Sequence, residues 1–573
     1  MSENIQGLNG KAYRFMSITI GEYLLARLSE IGIRHVFGVP GDFNLWFLEQ
    51  TIQSDSLKFI GCCNELNAAY AADGYARLNG ISALVTTYGV GELASLAGVA
   101  GAYAERVPMV CISGTPPLHA MREGALLHHT MADGNYTNMW NCAREFTVAQ
   151  ARIEPSNARQ EIDRVLRTCW IEKRPVYLQL PSDVAGVRTG PITVPLDLAF
   201  PRSDPKQFAR ALSQLSLRLA EASAPAILLD VDADRFGLTP LIESLAEALH
   251  LPIAHLAPAK GFVSEAHPLA IGLYRGARSS PEVRSAIENS DCLLCIGTRF
   301  TDVATGLFSH TLNAASMIDL YPFSLRTDKE FFNAVGAAEL LAALLPGVTR
   351  RAPSTAISFV QQAPPPHAES KAQQPMTQVD FWHAMGTFLQ AGDVIVSDTG
   401  TAGFASVNLA LPSGVTYISQ SIWGALGYGL PAALGACLAA PARRQLLFVG
   451  DGGLQMSVQE LSTILWNHLK PIIFLLNNDG YTIERLIYGA NSSYNDIRAW
   501  RYGQLVSTFN SEERAVVHSV RNHAELQSAL QATSDASRAY LIEVFLPRMD
   551  AHEPLVRFAR RAAEFDFPQI LED

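Results

Sequence analysis

Residues 445–478 read QLLFVGDGGLQMSVQELSTILWNHLKPIIFLLNN, and their pattern of apolar and glycine residues indicates the fold class. Its apolar runs at 445–449 and 471–476 predict two strands, and the helical spacing of Val458, Leu461, Ile464 and Leu465 predicts one helix between them. A strand, a glycine-rich turn, a helix and a second strand form the repeating unit of a parallel sheet. The segment therefore predicts an α/β fold.

Polar groups follow both of these strands, and they predict a binding site. Asp451 lies in the turn after the first strand, and Asn478 follows the second. Such a turn before a helix suits a diphosphate, and one carboxylate with one amide oxygen suits Mg²⁺. Each motif alone could be only a turn or a strand end. Their combination, with 24 residues (453–476) between Gly452 and Asn477, favours cofactor binding.

Length and charge limit the classes of protein and partner. A chain of 573 residues predicts three or four domains, and a net charge of -11 argues against nucleic acid or an anionic membrane as the main partner. Residues 1–16 lack the apolar core of a signal peptide, and the glycines and Pro431 in the uncharged run 423–442 indicate a packed helix. A cytoplasmic protein that acts on small metabolites is expected, without a membrane partner.

The eight cysteines lie mostly in apolar segments, which predicts buried and reduced thiols. Cys292 and Cys295 have CxxC spacing, but no second cysteine pair or histidine cluster accompanies them in the sequence. A structural role is therefore favoured over zinc binding.

The first part of the chain carries further candidates after its predicted strands. Asp42 follows the predicted strand 36–39, and it would either cap the next helix or face a site. Glu65 follows the predicted strand 58–63, and it is either an acid favoured by the helix dipole in the first turn or a residue of the functional site. His128 and His129 are adjacent in a polar loop, which favours acid/base work more than a single solvated histidine would. The order of strand, glycine-rich turn, helix and strand recurs at 83–113, so the first and last domains are predicted to share one architecture.

The pattern of elements predicts three doubly wound parallel-sheet domains. The predicted boundaries are 1–190, 191–349 and 377–573, with residues 350–376 as an exposed linker. The middle domain has no GxGxxG sequence, so a bound dinucleotide is not predicted there.

Together these motifs resemble the pyruvate decarboxylase family of thiamin diphosphate enzymes, in particular its indolepyruvate, phenylpyruvate and branched-chain 2-oxo acid decarboxylases. The similarity covers nearly the whole chain. Its most specific parts are Gly41-Asp42-Phe43-Asn44, Cys62-Cys63-Asn64-Glu65-Leu66-Asn67, His128-His129, Gly450-Asp451-Gly452 with Asn477-Asn478, Gly480-Tyr481-Thr482-Ile483-Glu484 and Tyr494-Asn495-Asp496-Ile497.

The resemblance implies a pyrimidine-binding first domain, a structural middle domain and a diphosphate-binding last domain. In the family the cofactor spans the subunit boundary, which implies a homodimer or homotetramer. The implied Mg²⁺ ligands are Asp451, Asn478 and the carbonyl oxygen of Gly480. The implied contacts to thiamin diphosphate are Glu65, Gly424, Leu426, Asn478, Gly480 and the turn Gly450-Asp451-Gly452-Gly453.

The implied reaction is the non-oxidative decarboxylation of a 2-oxo acid to an aldehyde and CO₂, through a thiamin ylid and an enamine. Glu65 would hydrogen-bond a pyrimidine nitrogen and favour the imino tautomer. Asp42, His128 and His129 would surround the reacting carbon and serve protonation and product release. Glu484 would steer the departure of the carboxylate and deliver a proton.

Substrate size and regulation are the points at which this chain departs from pyruvate-selective members of the family. Those carry a large aromatic residue at the position of Gly403, before a residue matching Phe404, so a pocket bounded also by Ile483 and Ile487 is predicted to admit bulky 2-oxo acids. Fungal members carry a cysteine linked to substrate activation near the position of Asp232 here. Its absence predicts hyperbolic kinetics.

Two alternatives remain open from the sequence. An enzyme similar to acetohydroxyacid synthase or pyruvate oxidase would bind FAD in its middle domain, and the His128-His129 pair and Glu484 argue against it. A catalytically silent homologue would serve only as a binding protein, and an intact Glu65 argues against that.

Overall fold

Three sheets, each in its own α/β domain, organise the protein, as the sequence predicts. The computed structural model describes residues 17–347, 372–509 and 514–569. Residues 1–16 and most of the predicted linker 350–376 lie outside the described residues. At the end of that predicted linker, Met376 is buried, and its N–H donates to the carbonyl oxygen of Arg521 (2.7 Å).

The first sheet has six parallel strands. Its central strands are buried at every position, as in a sheet covered by helices on both faces. In spatial order the strands are Lys58–Gly61, His35–Gly38, Ser82–Thr87, Met109–Thr115, Val176–Pro181 and Gln150–Arg152. The helices are Ile20–Glu30, Leu45–Ile52, Glu65–Asn79, Val90–Ala104, Leu118–Arg122, Asn138–Arg144 and Ala158–Glu172. A short antiparallel pair, Ile18–Thr19 with Arg188–Thr189, lies beside them.

The last sheet also has six parallel strands. In spatial order they are Thr416–Ile418, Val394–Ser397, Gln445–Gly450, Ile472–Asn477, Ala539–Phe545 and Ala515–Val520. When the six strands are numbered along the chain, both sheets have the order 2-1-3-4-6-5. This identity confirms the predicted repeat of one architecture.

The helices of the last domain differ from the prediction at one place. The predicted single helix after Gly450 is two helices, Asp451–Ser457 and Glu460–Trp466, because the intervening turn closes with a bond from Leu461 N–H to the Val458 carbonyl oxygen (3.0 Å). The other helices are Gln378–Phe388, Thr401–Ser406, Gly429–Ala439, Thr482–Ile487, Tyr502–Phe509, His523–Ala532 and Glu553–Asp566.

The middle sheet is parallel over five strands and continues as an antiparallel edge that the sequence reading did not anticipate. The parallel strands are Ala270–Leu273, Ile253–His255, Pro225–Leu229, Cys292–Ile296 and Met317–Tyr321, followed by the antiparallel Ser324–Thr327 and Phe331–Asn333. The helices are Pro205–Glu221, Asp232–Arg235, Thr239–Leu249, Pro281–Glu288, Asp302–Thr305 and Ala337–Leu344.

The paired cysteines of the middle sheet lie on one strand and are fully buried. Cys292 packs in one apolar cluster and Cys295 in another. Positions three apart on a strand face opposite sides of a sheet, so the two thiols do not converge. This placement supports the structural role.

The described chain divides into two compact units. One consists of residues 17–103 and 107–199, and the other of residues 104–106 and those from 200 onward. Within the described segments, no helix combines the length and apolar character required to cross a membrane.

Candidate active site

Asp42 and His128 form a hydrogen-bonded pair at the surface of the first unit. The Nε2 atom of His128 lies 2.9 Å from Oδ2 of Asp42, and the ring of Phe43 stacks on the imidazole with centroids 5.0 Å apart. The helix after this motif begins at Leu45 with Asn44 at its N-cap, so the helix-cap interpretation of Asp42 is wrong. The Asp42 carboxylate is instead available to the histidine.

His129 joins this pair through an unusual backbone conformation. Its φ of 61° lies in the left-handed region, which costs a non-glycine residue about 1 kcal/mol or more. The two imidazole centroids lie 4.6 Å apart, and ligand atoms of Asp42, His128 and His129 lie within 4.8 Å of one another. The structure thus brings these three predicted catalytic residues together.

Glu65 is the first residue of helix Glu65–Asn79, which confirms its predicted position in the first turn, and its functional role stays a prediction. The side chain of Asn64 caps this helix by accepting the Asn67 N–H (2.8 Å). The backbone of Gly91 packs close to the carboxylate, since a Cβ there would lie 3.1 Å from Glu65 Oε1. Glu65 therefore lies beside the segment Tyr88-Gly89-Val90-Gly91, called here the glycine turn 88–91. Its side chain is partly exposed.

In the second unit, three oxygen atoms converge at the carboxyl ends of strands Gln445–Gly450 and Ile472–Asn477. The amide oxygen of Asn478 faces Asp451 Oδ1 at 3.3 Å and the carbonyl oxygen of Gly480 at 3.0 Å, and all three atoms are acceptors. The amide nitrogen faces the Thr482 hydroxyl at 2.9 Å. That hydroxyl donates to the Arg548 carbonyl oxygen (2.8 Å), so it can accept from the amide.

The side-chain amide of Asn478 has two orientations, and the one in which its oxygen faces Asp451 and Gly480 requires a cation among the three oxygens. Without one, rotation of the amide would give donor–acceptor pairs with Asp451 and Gly480. A carboxylate, an amide oxygen and a backbone carbonyl are the hard donors that Mg²⁺ takes. The residues present therefore fit the ion. Burial raises the pKa of Asp451 to about 6.

Asp398 is a residue of the site that sequence reasoning passed over. It is fully buried after strand Val394–Ser397, and its carboxylate accepts from Gly427 N–H (3.1 Å) and Gly429 N–H (2.9 Å). Burial raises its pKa to about 6. A Cβ on Gly453 would lie 2.1 Å from Asp398 Oδ2, so only glycine fits there. One carboxylate thus fixes both the glycine turn and the segment before helix Gly429–Ala439.

The two predicted cofactor contacts in that segment are accessible. Gly424 is exposed with a φ of 66°, and Leu426 is half-buried two residues later. Asp398 holds the backbone immediately after them. A short loop fastened at its end by a buried carboxylate can present a carbonyl and an apolar side chain in fixed positions.

Arg485 is a second residue that the sequence analysis missed. Its side chain is buried, and Nη2 donates to the carbonyl oxygens of Asp479 (2.6 Å) and Asn495 (3.0 Å) and to Asp496 Oδ1 (3.0 Å). Gly480 has a φ of 119° and lies directly against this guanidinium. Arg485 therefore fastens the loop that carries the third metal-ligand candidate. The sequence feature that could have pointed to this residue is its position directly after Glu484.

The predicted pocket residues Phe404, Ile483 and Ile487 share one apolar cluster. The cluster also contains Phe558 of the last helix, whose ring lies 4.8 Å from that of Phe404. A Cβ on Gly403 would meet only the Asp398 carbonyl group within 4 Å, with the oxygen at 2.9 Å. Any side chain at Gly403 therefore requires a shift of the backbone at Asp398. The last helix adds Phe558 to the apolar cluster, which the sequence did not reveal.

Glu484 lies on the same short helix as Ile483 and Ile487, and its side chain is exposed in the chain described here. In the middle domain, Asp232 is buried, and its Oδ1 accepts from Arg299 Nη2 (2.9 Å). The position predicted to lack an activating thiol is therefore occupied by an ion pair.

Comparisons with known proteins agree over nearly the whole chain. Family profiles described as the thiamine pyrophosphate enzyme N-terminal TPP binding domain, central domain and C-terminal TPP binding domain match residues 18–135, 212–344 and 398–544. An alpha-keto-acid decarboxylase from Mycolicibacterium paratuberculosis is 40% identical over 550 residues, covering 95% of this chain and 96% of that protein. Pyruvate decarboxylase isozyme 1 from Saccharomyces cerevisiae is 36% identical over 555 residues, covering 95% and 98%.

Proposed function

Because the chain belongs to the thiamin diphosphate-dependent 2-oxo acid decarboxylases, we propose that it acts on 2-oxo acids with bulky aromatic or branched side chains in preference to pyruvate. The observation that carries this proposal is the apolar cluster of Phe404, Ile483 and Ile487, which follows Gly403, a position that carries no side chain. Phenylpyruvate, indolepyruvate, 2-oxoisocaproate and 2-oxoisovalerate present apolar groups to such walls. Pyruvate presents only a methyl group and would leave the pocket underfilled.

Cofactor binding would use the loops of the last domain. Asp451, Asn478 and the carbonyl oxygen of Gly480 would hold Mg²⁺, which would bind the diphosphate of the cofactor together with the turn Gly450-Asp451-Gly452-Gly453. The carbonyl of Gly424 and the side chain of Leu426 would orient its ring system. When bound, thiamin diphosphate supplies the electron sink without which a 2-oxo acid cannot lose CO₂.

Acid and base work would fall to the carboxylates and the histidine pair. Glu65 would hold a proton at the pyrimidine nitrogen. Asp42, His128 and His129 would hold and exchange protons at the reacting carbon, and the 2.9 Å bond between Asp42 and His128 lets those two groups share one. Glu484 would protonate the same carbon after CO₂ has left.

The proposed assembly is a homodimer or homotetramer in which the first domain of one chain meets the last domain of another. Supporting this, large apolar side chains are exposed on both units of the described chain. Those of the first unit include Leu45, Trp46, Ile52, Val90 and Leu93, and those of the second include Trp423, Met456 and Trp466. Exposed apolar side chains that lie together mark interaction surfaces.

The proposed location is the cytoplasm, and the proposed domains are 1–190, 191–349 and 377–573 with a linker at 350–376. Six of the eight cysteines are buried free thiols, and Cys63 and Cys142 are exposed free thiols. Unpaired thiols suit a reducing compartment.

A substrate panel tests the proposal. Aldehyde formation would be measured in an alcohol dehydrogenase-coupled assay for pyruvate, 2-oxoisovalerate, 2-oxoisocaproate, phenylpyruvate and indolepyruvate, with and without thiamin diphosphate and Mg²⁺. We expect cofactor-dependent turnover with higher kcat/KM for the larger acids. In Gly403→Trp this preference should shift toward pyruvate. Gly403→Ala is the control, because it adds only a Cβ and so measures the effect of the backbone shift that any side chain requires beside Asp398. Equal preferences in wild type and Gly403→Trp would reject the pocket assignment.

A further inference from the structure

The glycine turn 88–91 lies against two of the proposed catalytic residues, Glu65 and His129. A Cβ on Gly91 would lie 3.1 Å from Glu65 Oε1, and a Cβ on Gly89 would lie 1.9 Å from the carbonyl oxygen of His129. The backbone of this turn is therefore packed against both residues. A displacement of the turn would move the carboxylate and the imidazole relative to each other.

One buried side chain, that of Glu92, holds the turn. Glu92 lies in the first turn of helix Val90–Ala104, is 8% exposed, and accepts the Gly89 N–H at 2.8 Å through Oε2. Its Oε1 accepts a hydrogen bond from the hydroxyl of Tyr177 on strand Val176–Pro181. Burial raises the pKa of Glu92.

The hydrogen bonds continue from Tyr177 to the loop that carries the histidine pair. Gln179 Nε2 donates to the Tyr177 hydroxyl oxygen (3.0 Å), and Arg152 Nε donates to Gln179 Oε1 (2.9 Å). Arg152 Nη2 then donates to the carbonyl oxygen of Tyr136 (3.2 Å). The Tyr136 hydroxyl donates to the carbonyl oxygen of Ala125 (2.6 Å), three residues before His128.

The network therefore reaches the histidine loop at both ends. On one side Glu92 fixes Gly89 against the His129 carbonyl, and on the other Arg152 and Tyr136 fix the start of the loop. Buried polar networks of this kind rigidify the groups they join when every member is bonded. The left-handed conformation of His129 needs such support, because its backbone would otherwise relax.

We propose that Glu92 is a positioning residue of this decarboxylase, which acts through the turn 88–91 and through Tyr177 to fix Glu65 and His129 in their productive arrangement. The proposal rests on the catalytic roles proposed above for those two residues. Glu92 itself touches neither substrate nor cofactor in this scheme. If Glu92 only stabilised the domain, its contacts would be the same. The two roles differ in how its replacement changes turnover.

Two variants and one matched control separate the two roles. Tyr177→Phe removes one hydrogen bond to Glu92, and Glu92→Gln keeps the shape of that side chain. Tyr23→Phe is the control, because its hydroxyl bonds the Asp163 carboxylate in the same domain (2.8 Å) and has no contact to the turn. In the thiamin diphosphate and Mg²⁺ holoenzyme we expect kcat to fall about 10- to 100-fold in the two variants with KM changed little, since small misplacements of catalytic groups have effects of this size.

The deciding measurement is a double-mutant cycle between Tyr177→Phe and His129→Gln. If Tyr177 and Glu92 act through His129, the loss caused by Tyr177→Phe should be much smaller when His129 is already replaced. Equal fold-losses in both backgrounds, or an equal loss of kcat in Tyr23→Phe, would overturn the proposal. Failure of the proposed function would appear separately, as unchanged turnover in His129→Gln alone.

Discussion

Replacing Phe558 by alanine is the most direct test of our proposal that the last helix forms part of the substrate pocket. The ring is 7% exposed, lies 4.8 Å from the ring of Phe404, and has the guanidinium of Arg278 at 5.0 Å from its centroid. Truncating a buried phenylalanine costs about 3–5 kcal/mol, which includes about 0.5–1.5 kcal/mol for the ring pair and about 0.5–1 kcal/mol for the cation over the ring.

The consequence for catalysis should depend on the substrate. The truncation enlarges the space beside Phe404 and Ile483, so an indole gains room while an isopropyl group loses contacts. Because one methylene is worth about 1–3 kcal/mol of discrimination, the ratio of kcat/KM for indolepyruvate to that for 2-oxoisovalerate should rise about 10-fold or more. The coupled aldehyde assay measures both constants for both substrates.

The matched control for this experiment is Phe565→Ala. Phe565 lies on the same helix but pairs with Phe308, at 6.2 Å between ring centroids, and is not among the pocket residues. It should leave the ratio unchanged. If Phe558→Ala lowers kcat/KM by one common factor for both substrates, the helix only stabilises the domain and the pocket assignment of Phe558 is refuted.

Three further predictions concern the cofactor and regulation. Glu65→Gln should lower kcat about 10²- to 10⁴-fold, the range of an acid–base contribution, in the coupled assay, while cofactor binding measured by equilibrium dialysis persists; full activity would contradict its role. Chelation of divalent cations should abolish turnover, and Asn478→Leu should need more Mg²⁺ for half-maximal rate; an unchanged Mg²⁺ requirement would count against that ligand. Initial rates should depend hyperbolically on substrate, since Asp232 is held by Arg299; sigmoidal curves would reveal activation by another route.

Much of the fold followed from local pattern. Short apolar runs bounded by glycine turns placed most strands of the two six-stranded sheets, because strands buried on both faces are continuous in hydrophobicity. The strands Gln150–Arg152, Thr416–Ile418 and Ala515–Val520 were not predicted. The antiparallel edge at 324–333 was missed, since its strands Ser324–Thr327 and Phe331–Asn333 have only four and three residues and form no apolar run long enough to predict a strand. No glycine or proline lies between helices Asp451–Ser457 and Glu460–Trp466, so the sequence pattern did not predict a break there.

The candidate site likewise contains residues that the sequence predicts and residues that it does not. Asp451, Asn478 and Glu65 sit at strand or helix ends, where a motif and its element fix the position of the side chain. Phe558 and Asp398 could not be found by such reasoning, because their contacts join segments far apart in sequence. Only the folded chain shows that a C-terminal aromatic ring closes the cluster around Phe404.

The amide of Asn478 has a consequence for how the apoenzyme is loaded. In the metal-free protein a half-turn of this amide would bond it to Asp451 and Gly480, and the Thr482 hydroxyl would have to leave the Arg548 carbonyl to follow. If Asn478 holds Mg²⁺ as we propose, metal entry and amide rotation are linked equilibria, and an affinity measured from the apoprotein includes the breaking of those bonds.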